Sequence, residues 1–399
     1  MLLKMAIRMV RSTDGRLLWK FGKNFCYGGM RSVQKFKRRL KKGVFFPPFL
    51  YVSIVNSCNL RCQGCWVSVD APKAFIPLDD MNRLINEAKQ YGNRFFGLLG
   101  GEPLLHPQLM DILAAHPDCY FQLFSNGQMI TEDVARQFRK YGNVTPLISI
   151  EGNEEISDDR RGRSGVLDKT MQGLQNCLDQ RLITGVATSV CQNNLDLVTE
   201  ERLDQMIDWG VHYAWYYTYR PVGPDPAPDL ALTPEQLLEL RRFIVRMRRK
   251  KPIGIVDTYY DDSGQAICPA AVGVSHHINP WGEIEPCPVI QFAKETIYDR
   301  ESVFETISNS EFLRDFRETT AARTRGCIIL EDPELLADIM RRHEAKDAAH
   351  RTNGRGGYDE LAAMTARQSQ HHPGEEIPEE HWAYRFAKKH WFFGFGAYA

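Results

Sequence analysis

The stretch Phe49-Leu50-Tyr51-Val52-Ser53-Ile54-Val55-Asn56-Ser57-Cys58-Asn59-Leu60-Arg61-Cys62-Gln63-Gly64-Cys65-Trp66 decides how the chain is read. Its first seven residues have the apolar, β-branched character of a buried strand. The strand runs directly into three cysteines spaced C-x3-C-x2-C. Three thiolates can wrap an iron–sulfur cubane, yet they satisfy only three of its four irons. The fourth position is left for something other than protein, and an open metal position points to chemistry. The other reading is a zinc knuckle, but zinc wants four ligands, usually as paired C-x2-C units, and no fourth Cys or His stands nearby.

Working outward, the pattern after Cys65 alternates. Residues 78–91 have helical spacing with Asp79 and Asp80 in the first turn, Phe95–Leu99 reads as a strand and residues 107–115 as a helix. Tyr120–Phe124 is the next strand, followed by a helix capped by Thr131. Leu147–Ile150, residues 166–181, Thr184–Val190, Glu200–Trp209 and Tyr213–Thr218 continue the alternation. Such βα repetition predicts parallel strands with crossover helices. The fold class expected is α/β, a partial (β/α)6 TIM-like barrel with a small C-terminal extension. Polar and glycine-rich motifs follow the strands, where sites are built in such folds.

Four prolines within Pro221–Pro228 end the repeat as a stiff connector. A helix over 233–251 follows, with Thr233 and Gln236 placed as a capping box and Pro234 in its first turn. Another helix is expected over 333–350. These breaks suggest a basic arm (1–48), a barrel (49–252), an extension (253–332) and a helical, aromatic tail (333–399).

Composition excludes some classes. No run of eighteen apolar residues occurs, so no membrane-spanning helix is expected. The first residues interleave Lys4, Arg8 and Arg11 with apolar ones, a poor secretory signal. The ten cysteines in a large chain without such a signal therefore suggest a reduced, cytoplasmic home, with clustered thiols as metal ligands. Cys119, Cys177 and Cys191 read as small buried hydrophobes.

The net charge is zero, but the first fifty residues hold thirteen Lys and Arg against Asp14 alone. Such an arm suits an anionic partner: a phospholipid surface, a phosphorylated substrate or nucleic acid. The terminal aromatics from His381 to Tyr398, mixed with Lys, Arg and His, also suit a headgroup region. Both features suggest peripheral contact with the inner membrane surface, and nucleic acid is not favoured. The plainer alternatives are a helix packed on an acidic body and a tail folded back over the barrel.

The cysteine loop resembles the signature of the radical S-adenosylmethionine (SAM) superfamily, and Gly100-Gly101-Glu102-Pro103, following the next strand, resembles that family's GGEP element. The resemblance covers residues 50–220. It implies a 4Fe–4S cluster on Cys58, Cys62 and Cys65, with SAM on the open iron. One electron then yields a 5′-deoxyadenosyl radical that abstracts hydrogen from a substrate the chain does not reveal. A reductase or flavodoxin-type donor would supply the electron.

By the same resemblance Gly100, Gly101 and Glu102 meet the methionine moiety, Ser125 and Asn126 lie near its carboxylate or the ribose, and Ser149 and Glu151 lie near the ribose. Arg161 pairs with the carboxylate, Arg160 being its rival, and Asn193 is a candidate for adenosine contact. The family places an aromatic residue before the third cysteine, near the adenine. Here Gly64 stands there and Trp66 follows, so either Trp66 takes a related role or other groups hold the adenine.

Cys268 and Gly282-Glu283-Ile284-Glu285-Pro286-Cys287, spanning a predicted hairpin, resemble the start of SPASM or twitch extensions. That implies an auxiliary 4Fe–4S cluster on Cys268, Cys287 and Cys327, with His276, His277 or substrate as fourth ligand. The alternative there is unrelated thiols or a zinc site. The arm shows no sign of the small helix–sheet peptide-recognition domain many peptide-modifying relatives carry. A lipid-like molecule is the first substrate expectation, a peptide the second and a soluble small metabolite the third. The rival reading of the whole chain is a non-catalytic iron–sulfur or zinc scaffold or electron carrier.

Overall fold

A computed structural model describes residues 2–391, apart from Thr258, 353–355 and 364–368. The end of the terminal aromatic stretch, 392–399, therefore lies outside the described residues. The predicted alternation is present: β1 (Phe49–Ser53), β2 (Phe95–Leu99), β3 (Tyr120–Ser125), β4 (Val144–Ser149), β5 (Gly185–Val190) and β6 (Tyr213–Thr218). They pair in chain order, all parallel. The sheet is longer than the six strands expected. A seventh parallel strand, β7 (Gly254–Val256), adds beyond β6. Beyond β1 come β8 (Ser275–Ile278), also parallel, and its antiparallel partner β9 (Ile284–Glu285). The order is β7-β6-β5-β4-β3-β2-β1-β8-β9, so the predicted hairpin widens the barrel's own sheet.

Three arm helices precede the barrel: α1 (Leu2–Ser12), α2 (Gly15–Lys20) and α3 (Gly28–Leu40), with a π-helical turn between the last two. The crossovers are α4 (Leu78–Gln90), α5 (Leu109–Ala115), α6 (Glu132–Tyr141), α7 (Glu154–Arg161), α8 (Val166–Asp179) and α9 (Glu200–Trp209). After the connector comes α10 (Pro234–Lys250). Side-chain caps set their starts: Thr131 accepts from Val134 N, Asn153 from Ile156 N and Thr199 from Arg202 N. Both halves of the Thr233–Gln236 capping box form. The helix expected over 333–350 stops at Arg342, and Glu344 follows at φ 53° before a short strand, Lys346–Asp347.

Alternation along the parallel strands turns one face to the surrounding helices and the other to an aromatic interior. Trp215 stacks on Tyr217 at 5.2 Å, and Tyr51 meets Phe124 edge-on at 5.9 Å. Gly97 makes room for the Tyr51 ring, which a Cβ there would strike. At the floor Gln122 Nε2 donates to the Tyr213 hydroxyl at 3.2 Å, which also bonds Thr145 at 3.1 Å. Cys119, Cys177 and Cys191 are buried as expected.

The basic arm runs beneath the N-terminal ends of the strands. Arg8 donates to the Ile207 and Val211 carbonyls, Arg16 to those of Arg139 and Lys140, Lys20 to Tyr141 and Arg39 to Tyr91. These carbonyls lie at or just past the C-terminal ends of α9, α6 and α4, where backbone acceptors are unsatisfied and the dipole is negative. Much of the arm's charge thus serves the fold itself.

The described part of the terminal aromatic stretch packs against the side of the barrel, at the sheet edge, and does not cover the mouth as a lid. The helix Trp382–His390 lies against the free edge of β7, where Tyr384 Oη accepts from Ile255 N at 3.0 Å. Beneath it Arg241 and Lys388 both reach Asp257, at 2.7 and 3.0 Å, and Arg248 pairs with Glu379. All five side chains are buried, and Trp391 packs on Phe25 of the arm. Trp382 and Phe386 nonetheless stay exposed.

Candidate active site

The cysteine loop leaves β1 and returns to its own start twenty residues on, where Phe75 bridges Val55, and Asn56 clamps its base. The Asn56 side chain accepts from Ala74 N at 3.0 Å and donates to Pro72 O at 2.9 Å. Gly101 N and Glu102 N donate to Val55 O and Ser57 O, both at 2.8 Å. Cβ atoms at Gly100 and Gly101 would collide with the Val55 and Ser57 carbonyls. The two glycines therefore let the β2 end dock on the cysteine loop, a reason internal to the chain.

Cys58, Cys62 and Cys65 form no disulfide and stand within electrostatic reach of one another. Burial first, then neighbouring Cys62 and Cys58, pushes the Cys65 thiol up to about 12. Arg161 Nη1 donates to Cys62 Sγ at 3.5 Å, and its Nη2 pairs with Glu151 at 2.5 Å. Arg160 takes the other Glu151 oxygen at 2.7 Å, donates to Ser189 O and lies over the Tyr219 ring. Of the two rivals, Arg161 is the one beside the thiols. Burial opposes its charge, but Glu151 and Cys62 hold it firmly protonated.

Glu102 is fully buried at the end of β2. Its oxygens accept from Ser125 Oγ at 2.9 Å, Leu104 N at 3.2 Å and Asn126 N at 2.9 Å. Burial outweighs these bonds and raises its carboxyl to about 7. Asn126 also donates to Asn59 inside the cysteine loop at 2.8 Å, and Asn59 donates to Gln128 at 3.1 Å. Ser149 ends β4, and Glu151 lies just beyond it. Asn193 is engaged with Cys191. Neighbouring Asn194 ties the β4 and β5 ends together through Glu151 O and Ser189 O, both at 3.0 Å.

Gly64 adopts φ 65°, and a Cβ there would strike the Tyr219 hydroxyl. Tyr219, at the end of β6, thus brings an aromatic ring to the position the sequence leaves bare. Trp66 instead turns toward β8, meeting His277 edge-on at 5.6 Å.

The second thiol set also converges. Cys268, Cys287 and Cys327 lie within electrostatic reach of one another, and burial pushes Cys268 up to about 12 and Cys287 to about 11. Arg220, two residues beyond β6, donates from Nε to Cys327 Sγ at 3.0 Å and from Nη1 to Tyr259 Oη at 2.9 Å. Neither candidate histidine is brought to these thiols. Strand alternation turns the His276 ring to Phe45. Both ring nitrogens of His277 are taken, by Ser53 Oγ at 2.7 Å and Glu285 at 2.5 Å. Burial lowers His277 to about 3 and, with Glu283 adding to it, raises Glu285, so this chain is held by neutral groups.

Sequence reasoning missed Asn59, Asn194, Tyr219, Arg220 and the Ser53–His277–Glu285 chain. The polar residues directly after each strand, such as Arg220, were the signal available for them. Among the described residues no three His, Cys, Asp or Glu side chains close tightly on a single ion. Tetrahedral zinc would require four such donors.

The family model for the Radical SAM superfamily matches residues 52–211, the span from β1 to the edge of β6. The chain carries a radical SAM domain. Fe-coproporphyrin III synthase of Methanosarcina barkeri is 23% identical over 178 residues, covering 42% of this chain and 45% of that protein. The sporulation killing factor maturation protein SkfB of Bacillus subtilis is 21% identical over 297 residues, 73% of this chain and 72% of its own. Streptococcus suis SuiB, solved with its precursor peptide SuiA, superposes at TM-score 0.62 with 14% identity, over 83% of this chain and 80% of that one.

The chain spans just under half the length of the first curated relatives it matches. Radical SAM domains use a 4Fe–4S cluster and SAM. The donor set here fits that pair: three unbridged thiols gathered at the strand ends, a buried carboxyl at the end of β2 and an arginine against one sulfur.

Proposed function

We propose that the protein is a radical SAM enzyme whose Cys58, Cys62 and Cys65 hold the catalytic 4Fe–4S cluster. Bound together there, cluster and SAM would supply radical chemistry that removes a hydrogen atom from substrate. The chain's own residues then bind and orient. Ionised Glu102 accepts the methionyl ammonium, with Ser125 and Asn126 fixing its carboxylate, while Gly100 and Gly101 hold Glu102 against the cysteine loop. Arg161 offers its guanidinium to the methionyl carboxylate from beside Cys62, and Ser149 and Glu151 border the ribose. Tyr219, with Arg160 behind it, takes the adenine-facing place in preference to Trp66. The observation that carries this reading is the convergence of the three thiols with Arg161 and Glu102 on one end of the barrel.

Cys268, Cys287 and Cys327 are the proposed ligands of an auxiliary 4Fe–4S cluster facing the barrel's aromatic interior. The proposed substrate class is a peptide. Similarity to SkfB continues past the radical SAM domain over 73% of the chain, whereas the match to the porphyrin enzyme stops at 42%. The arm that suggested a lipid substrate lies at the opposite end from the mouth, so a membrane contact would concern docking. A flavodoxin-type donor completes the electron supply.

The test is anaerobic reconstitution with iron and sulfide, then dithionite and SAM, with 5′-deoxyadenosine as readout. Release that rises with a peptide fraction of the source cells, and falls after that fraction is proteolysed, supports the reading. Stimulation by a lipid extract alone would overturn the substrate class. No release from the cluster-loaded protein with either fraction would favour the scaffold or electron-carrier alternative.

A further inference from the structure

Helix α1 is amphipathic, yet it buries none of its residues. Leu3, Ile7 and Val10, spaced to share one helix face, are 73%, 41% and 64% exposed. A soluble helix normally turns such a stripe toward the core. Here the body holds α1 by its other side, through Met9 packed on the Leu147–Trp215 cluster, Arg8 on the Ile207 and Val211 carbonyls, and Ser12 on His212, and the Leu3–Ile7–Val10 stripe stays outside. Lys4 and Arg11 line an open groove beside Ile7. Trp19 of α2 is 69% exposed as well.

We propose that α1 is an in-plane anchor for an anionic lipid bilayer, docking the foot of the barrel and leaving the cysteine mouth facing away from the membrane. An apolar stripe bordered by lysine and arginine matches the boundary between acyl chains and anionic headgroups. Nucleic acid would engage the cations and leave the apolar stripe in water. The orientation follows from the parallel sheet. Several of the arm's contacts with the barrel fall just before strands: Val211 before β6, Tyr141 before β4, Pro117 before β3 and Tyr91 before β2. The cysteine loop, Glu102, Asn126 and Arg220 all follow strands, at the other end. A strand of five or six residues separates the ends by about 17–20 Å. The bilayer is thus a tether, and substrate reaches the mouth from solution. This depends on α1 and the sheet alone and stands whatever the substrate proves to be.

The experiment is flotation of the full chain with phosphatidylcholine vesicles, with and without phosphatidylglycerol, beside the Leu3→Asp/Val10→Asp and Lys4→Glu/Arg11→Glu double variants. Wild type should float only with the anionic vesicles and less so as salt rises. Each double variant should lose at least about tenfold in affinity. Because α1 buries no residue, both variants should keep the wild-type melting temperature. Vesicle-bound protein, reconstituted with its cluster, should cleave SAM as fast as free protein. Binding indifferent to phosphatidylglycerol or to the Leu3/Val10 change would overturn the anchor. So would a dimer by sedimentation that the Leu3/Val10 change splits while vesicles are ignored, or retention by an oligonucleotide alone. Suppressed SAM cleavage on vesicles would overturn the orientation.

Discussion

The two thiol sets are built alike and charged differently. Each brings three cysteines together, and in each one half-buried arginine donates to a sulfur: Arg161 to Cys62, Arg220 to Cys327. Arg161 shares its charge with Glu151, which Arg160 also grips, so that site is a network of alternating charges. Among the described residues Arg220 forms no ion pair with a carboxylate. Its charge is raised by Cys327 and by Tyr259 against the pull of burial. The first site neutralises its arginine with a carboxylate, whereas the second sets a sulfur and a phenol beside its arginine.

Removing a ligand from each set should separate their roles most sharply. Cys58→Ala should abolish 5′-deoxyadenosine release, and release undiminished beside wild type would refute the site assignment. Cys327→Ala should lose the iron and absorbance of one cluster of two, while SAM cleavage without substrate stays within about twofold and product formation stops. Equal iron in Cys327→Ala and wild type would remove the auxiliary cluster from the account.

The arginines should differ next. Arg161→Gln leaves Glu151 buried with half its compensation, so it should cost about 3 kcal/mol of stability and weaken SAM binding. Arg220→Gln removes a charged donor from a ligand sulfur, which should move the auxiliary cluster to a more negative reduction potential and leave SAM affinity unchanged. An EPR-monitored redox titration reads this directly, and an unmoved potential would mean that Arg220 merely fills space.

How much of this was legible in the sequence follows the same division. Around the first set, strand and helix periods, caps and the two motifs are local in the chain, and Glu200–Trp209 and Tyr213–Thr218 match their expected bounds. What stayed hidden joins distant residues. Arg220 and Cys327 are separated by 107 positions, and Ser53 and His277 by 224. No period or spacing marks such pairs. The arm was legible in part for a related reason: its charge was plain, but the main-chain acceptors at helix ends that take Arg8, Arg16, Lys20 and Arg39 carry no sequence signature. Gly64 was read as a lost aromatic, and only the fold shows Tyr219 standing over it.

The smallest expected effect is a pH dependence with opposite signs in one residue. Glu102 sits near 7 in the folded chain against 4.5 for an ordinary glutamate, so the native state holds its proton more tightly than the unfolded chain does. Its contribution to stability is complete below the unfolded value and is lost as pH rises through about 7. The melting temperature of the cluster-free protein should therefore fall between about pH 5 and pH 8, and Glu102→Gln should flatten that slope. In the proposed site the methionyl ammonium pairs with the ionised carboxylate, so SAM affinity should instead climb over the same range, by up to about tenfold per pH unit below 7. In Glu102→Gln the climb should vanish. At the second set Glu285 is held well above its ordinary range, so Glu285→Gln should leave the slope in SAM affinity intact. If both substitutions flatten the affinity profile equally, the two sites are electrostatically one, and the contrast between Arg161 and Arg220 loses its basis.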